Sequence, residues 1–168
     1  MISASTLNSE LINKIAQDFA QATSLAVVVV NIHGDEISEL FNFTPFCQLM
    51  RQHPQHSTRC RMSDRCGGLE ASKTDQLCIY RCHAGLTDFS IPLVIAGHLV
   101  GFVLCGQVRL SNDVELVDIL NVDDGWQADP ELLNAFRDVP EMDYSRVIAS
   151  ADLLKLIVEN CLKKQLNF

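Results

Sequence analysis

Long apolar runs are missing from this chain: nowhere in its 168 residues is there the stretch of roughly 18 that a bilayer crossing needs. Residues 1–9 are polar and lack a basic region followed by an apolar one, so no export leader is expected and the chain reads as cytoplasmic. A basic excess is missing too. Thirteen Lys and Arg against 21 Asp and Glu leave a net charge of −8, which repels a phosphate backbone and argues against direct DNA contact. Arg59, Arg61, Arg65 and Lys73 do bunch, but Asp64, Glu70 and Asp75 sit among them, which reads as a mixed solvated helix face. Gly67-Gly68 and the glycines at 97, 101 and 106 form no phosphate-cradling pattern after a strand. No internal repeat or low-complexity stretch is present.

Cysteine is abundant instead. Seven cysteines, an odd number in a chain without an export signal, do not make a disulfide framework. Either they are buried small hydrophobes, or some of them build a metal or redox site.

The apolar spacing organises the chain. Leu7, Leu11, Ile12, Ile15, Ala16 and Phe19 recur at helical period and predict a first helix ending near Ala22-Thr23. Residues 25–30 are a β-branched run, apolar on both faces, and predict a central strand, with residues 36–41 returning as a second after the Gly34-Asp35 turn. Thr44-Pro45 opens a short helix over 46–51, which ends before His53-Pro54. Ser57 or Thr58 caps the next helix, weakened in its middle by Gly67-Gly68. Residues 77–81 predict a strand, and 86–95 with 98–109 predict a hairpin turning at Ala96-Gly97. Residues 121–130 read as an acidic loop, and a long helix covers about 143–166. The pattern is that of one α+β domain over 1–168, PAS-like in type. It has a sheet of about five antiparallel strands, inserted helices and long terminal helices.

The positions of the thiols limit what they build. On one helix Cys60 and Cys66 diverge by roughly 240°, whereas Cys60 and Asp64 share a face. Strand alternation turns Cys78, Tyr80 and Cys82 one way and Ile79, Arg81 and His83 the other. Cys47, Cys60 and Cys82 remain as a trio from three elements that can converge on an ion such as zinc, with Cys66, Asp64 or His83 as a fourth ligand. The spacing is no zinc knuckle, and core or pocket-lining thiols are the simpler reading. Cys78, Cys105 and Cys161 lie in apolar stretches and read as core. A Cys–His nucleophile, from Cys82 with His83 or from His53 and His56 ahead of Cys60, has no supporting local signature. His33 and His98 read as turn residues. Gln107, an amide in an apolar strand, needs a partner when buried: a ligand hydroxyl, a backbone group or water.

Phe46-Cys47, Cys60-x-x-Ser63-Asp64, Tyr80-Arg81-Cys82-His83-Ala84-Gly85-Leu86-x-Asp88, Ile91-Pro92 and Gly101 through Gly106-Gln107-Val108 together resemble the PocR-type sensory domain. The resemblance covers about the central third of the chain. It implies a variant PAS-like fold that binds a small diol such as 1,2-propanediol. It further implies an attached AraC-type DNA-binding domain that activates propanediol-utilisation and cobalamin-synthesis genes. Cys47, Cys60 and Cys82 fall on the family's cysteine positions, which puts a shared site on equal footing with the core reading; Cys66 and Cys78 are outside the pattern. His83 and Gln107, with Cys82 and Asp64, are the expected ligand-facing residues, and no enzyme activity is expected. The apolar stripe Val147, Ala151, Leu154, Ile157, Val158, Cys161 and Leu162 is read as core cover or as a homodimer seam. The alternative function is a sensor of metal or of thiol redox state.

Overall fold

The computed structural model describes residues 8–74 and 77–165, and no side chain beyond Cys161. Leu7 at the expected helix start, Asp75 in the basic cluster, and Leu162 at the end of the apolar stripe lie outside the described residues or side chains. The elements run α1 (Ser9–Thr23), β1 (Ala26–Asn31), α2 (Pro45–Gln52), α3 (Pro54–Lys73), β2 (Cys78–Arg81), β3 (Thr87–Ile95) and β4 (His98–Leu110). There follow β5 (Val117–Asp118), a 3-10 turn at Gly125–Ala128, α4 (Pro130–Arg137), β6 (Glu141–Met142) and α5 (Tyr144–Gln165). The strand order is β1-β4-β3-β2-β5, with β6 on β4. The four longer strands pair antiparallel, as the PAS-like α+β reading predicts, and the two short ones join parallel, so the sheet is mixed.

Helices α1 and α5 cover one face. Ile12, Ala16 and Phe19 from α1 and Val147, Ala151, Leu154 and Val158 from α5 meet Val27, Val29, Phe89, Ile91 and Leu93 in the main core. The α5 stripe is therefore spent on core cover rather than left free. Helices α2 and α3 lie over the opposite face, where Ala26, Val28, Val30, Phe43, Phe102 and Leu104 cluster.

Five expectations need correction. Strand β1 is at the edge of the sheet path, not its centre. Residues 36–41 do not form a second strand but guard that edge through two isolated bridges, Val27 with Phe41 and Val30 with Glu36, which satisfy backbone groups an open edge leaves bare. The third helix starts at Pro54, directly after His53, because proline at its first position forgoes only a donor that has no intrahelical partner. Gly67-Gly68 does not weaken the middle of α3 without purpose. A methyl group at Gly67 overlaps the Tyr80 ring, and one at Gly68 overlaps the Phe102 ring, so the glycines let the helix sit down on the sheet. Finally, Asp64 is not on a solvated face: it is buried, and Arg51 pairs with it.

Candidate functional site

Between the sheet and the pair α2/α3 lies a cavity of about 40 Å³, room for about three waters or a molecule of similar bulk. Its apolar wall comes from Ala26, Val28, Phe43, Phe46, Met50, Leu86 and Leu104. Its polar rim is Cys47, Arg51, Cys60, Ser63, Asp64, Cys82, His83, Asp88 and Gln107. His83, Gln107, Cys82, Asp64, Cys47 and Cys60, all expected from the sequence, face it together. Cys66 does not line it, as its angle on the helix requires.

Cys82 and His83 share the cavity although strand alternation separates them. The reason is that β2 stops at Arg81. A turn follows, closed by the Cys82 N–H donating to the Leu86 carbonyl at 2.9 Å and by Gly85 at φ +91°, so both side chains swing inward. His83 is then locked in place. Its N–H donates to Ser63 Oγ at 3.2 Å, its carbonyl accepts from Asp123 at 2.7 Å, and its Nε2 meets Cys60 Sγ at 3.2 Å. Nδ1 is buried with no hydrogen-bond partner among the described residues. Burial lowers the imidazole to about 4, with Arg59 adding to the effect, so the ring is neutral at physiological pH.

Gln107 is placed by a β-bulge. The β3–β4 register shifts between Thr87, opposite Val108, and Asp88, opposite Gly106, leaving Gln107 as the extra residue. Gln107 sits at φ +62° and Gly106 at +146°. A side chain at Gly106 has no room against the Asp88 carboxylate and the Thr87 carbonyl. Two contacts hold the strained residue: its N–H donates to Asp88 Oδ1 at 2.9 Å, and its Oε1 accepts from the Thr44 N–H at 2.9 Å and from Thr44 Oγ1 at 3.1 Å. Thr44 also caps α2 by accepting from the Cys47 N–H at 3.2 Å. The partner that Gln107 requires is thus the start of the helix that roofs the cavity.

Arg51 closes the other side. It donates to Asp64 Oδ2 at 2.7 Å and to Glu36 Oε1 at 3.0 Å, and its guanidinium lies 5.1 Å from the Phe43 ring centre. It also borders an outer cleft beside Glu36, Gln48 and Arg61, so it stands between cavity and solvent. Burial raises the Asp64 carboxyl, and Arg51 opposes that rise.

The thiols show little reactive character. Burial pushes Cys60 up to about 12, and it drives Cys47 and Cys82 far above the usual thiol range. The Cys60–His83 contact therefore joins a neutral thiol to a neutral ring. It also differs from the pairs expected: His53 and His56 stack on each other at 4.6 Å and stay outside the cavity. Among the described residues no three His, Cys, Asp or Glu side chains are arranged to hold a metal ion, so Cys47, Cys60 and Cys82 share a wall without forming an ion cage. Of the thiols expected in the core, Cys105 is buried, while Cys78 and Cys161 are only half-buried.

Three cavity residues have roles that the sequence does not spell out. Asp88 belongs to the motif, but strand spacing alone assigns it no role. Arg51 ends the short helix expected over 46–51, and nothing in the sequence marks it as a cavity residue. Phe46 packs edge-on to Trp126 at 4.8 Å and makes a third cluster with Met50, Leu86 and Leu132, although Trp126 sits in what reads as an acidic loop. The short helix α4 after it, opened by Asp129 as cap and Pro130, was equally unforeseen.

The family model for the sensory domain found in PocR matches residues 5–166. Regulatory protein PocR of Salmonella typhimurium is 95% identical over 168 residues, which are 100% of this chain and 55% of that regulator. The chain thus spans about half the length of the curated relative it matches. No solved structure matches it. Among the described residues no helix is long and apolar enough to cross a membrane. With the motif residues gathered around one cavity and the family model matching nearly end to end, this chain belongs to the PocR sensory-domain family.

Proposed function

We propose that this chain is the ligand-sensing domain of an AraC-type transcription activator, that it binds a small diol such as 1,2-propanediol, and that it is not itself an enzyme. Through an attached DNA-binding domain it then controls propanediol-utilisation and cobalamin-synthesis genes. The observation that carries the reading is the cavity: about 40 Å³, mostly apolar, with a few fixed polar groups converging on it. That size suits a three-carbon diol better than a nucleotide or sugar. His83 and Gln107 are the proposed hydroxyl partners, with Cys82 and Asp64 beside them. Two copies are proposed to join along α5.

The other reading, a sensor of metal or thiol redox state with zinc as the ion, draws on Cys47, Cys60 and Cys82 along one wall. Their raised thiol pKa values and the lack of a three-ligand cluster among the described residues count against it.

Native mass spectrometry of the purified domain with and without 1,2-propanediol, paired with calorimetry and elemental analysis, decides between them. A one-to-one diol adduct with a heat of binding is expected. Stoichiometric metal with neither adduct nor heat means the second reading is the right one.

A further inference from the structure

Asp88 is half-buried and lines the cavity, as Cys47 and Cys82 do. Its Oδ1 is held by the Gln107 N–H across the bulge at 2.9 Å. Oδ2 takes no hydrogen bond from any described residue. A carboxyl oxygen that borders a mostly apolar cavity without a protein donor is open to a hydrogen bond from something the protein binds.

We infer that Asp88 is the residue that selects the ligand, its free oxygen taking the hydrogen bond of a hydroxyl in the cavity. The inference rests on the diol reading and deepens it by naming the ligand class through charge. The cavity wall carries two carboxyls, Asp64 and Asp88, and one guanidinium, Arg51, which is already bound to Asp64 and Glu36. A carboxylic acid of the same size meets Asp88 and finds one unpartnered donor, Arg51 Nε, on a guanidinium whose charge Asp64 and Glu36 already offset. A neutral hydroxyl donates to Asp88 and needs no cation. The contact also reaches the roof: Asp88 holds Gln107 N–H, Gln107 holds Thr44, and Thr44 caps α2, so a ligand on Asp88 bears on the helix that covers it.

The environment makes the contact sensitive to protons. From α2, Arg51 and Cys47 face Asp88; from α3, Asp64 and Cys60; from β2, Tyr80; from the turn, Cys82; and from β4, Cys105. The thiols and the phenol are all held neutral, so Arg51 and Asp64 are the only charges among them. Burial, with Asp64 adding to it, raises Asp88 to about 7 despite the Gln107 N–H and Arg51. A hydroxyl donating to the carboxylate favours the ionised form, so affinity rises as pH passes upward through about 7.

Calorimetric titration of wild type and Asp88→Asn with 1,2-propanediol and with propionate, from pH 6 to 8, tests the inference. Asparagine keeps the shape and the acceptor for Gln107 but presents an amide nitrogen where the free oxygen was. Wild type is expected to bind the diol and not propionate, with affinity increasing with pH. The variant is expected to bind about tenfold more weakly or worse, the loss of one hydrogen bond to a charged group, and with no pH dependence. If both bind the diol equally with the same pH profile, Asp88 is not the selector although the diol reading stands. If wild type binds no diol at any pH, the diol reading fails and the role of Asp88 with it. Should the variant not fold, carboxyl NMR of wild type replaces it: the Asp88 pKa falls on diol addition, and an unchanged titration overturns the inference.

Discussion

At the scale of single residues, two buried titratable groups pull stability in opposite directions with pH. The His83 ring is held at about 4 in the fold against 6.5 when free. Between those values the unfolded chain takes up a proton that the fold refuses, so stability falls as pH drops from about 6.5 toward 4. Asp88 is raised from 3.8 to about 7, so the fold keeps a proton that the unfolded chain releases. Its contribution is complete below about 3.8 and is lost as pH rises through 7. The two slopes offset each other across the acidic range, and wild-type stability there should vary little on their account. Urea unfolding from pH 4.5 to 7.5 separates them. His83→Gln should leave a protein that loses stability with rising pH, and Asp88→Asn one that gains it; two unchanged profiles would contradict both assignments. Neither group was legible as a titrating site. His83 was visible as a polar residue, but Asp88 hides in the alternation of β3, and its environment comes from α2 and α3, far away in sequence. Gln107 was legible as an amide needing a partner. The bulge that turns it toward Thr44 was not, because nothing in the chain between Gly106 and Val108 states that β3 is one residue shorter there.

At the scale of elements, the two glycines of α3 show how tertiary packing outweighs helix propensity. Alanine in place of glycine inside a helix is worth about 1 kcal/mol by propensity alone. Here the added methyl group meets the ring of Tyr80 at position 67 or of Phe102 at position 68, two of the most completely buried side chains. Overfilling a packed contact costs about 1–3 kcal/mol, so Gly67→Ala and Gly68→Ala should both destabilise the domain in chemical denaturation. They should also weaken diol binding, since α3 supplies Cys60, Ser63 and Asp64 to the cavity. An increase in stability from either substitution would mean that α3 sits further from the sheet. The same contrast explains which elements could be read in advance. α1, α2, the β3–β4 hairpin and α5 carry their own periodicity and turn chemistry, Ala96 and Gly97 both at positive φ included. β5, β6 and the bridges at 36–41 are two residues long or shorter, and they exist only because a neighbouring strand offers unpaired backbone groups. Position within the sheet was likewise invisible for β1, since an edge strand covered by a loop is as apolar as a central one.

At the scale of the whole molecule, α5 faces two ways. Val147, Ala151, Leu154 and Val158 are buried against the sheet, and their spacing of four, three and four residues uses up the inward side. Leu153 and Leu156 point away, 52% and 59% exposed, with Ala149 and Asn160 exposed at the same spacing on either side. That outward row has the heptad period of a two-helix seam, with an asparagine of the kind that fixes register. The proposed joining of two copies therefore belongs to this row and not to the stripe that the sequence singles out, which is already covered. Leu153→Lys with Leu156→Lys touches no core contact, so the fold and its diol affinity should persist. Light scattering on a size-exclusion column should then show a wild-type dimer converted to monomer. A wild-type domain that is monomeric across the micromolar range removes the seam from consideration. A variant that stays dimeric places the interface on another surface. If the dimer dissociates as expected, a difference in wild-type dimer affinity with and without saturating 1,2-propanediol measures how far the cavity and α5 are coupled, because linkage requires the diol to bind dimer and monomer unequally by the same factor.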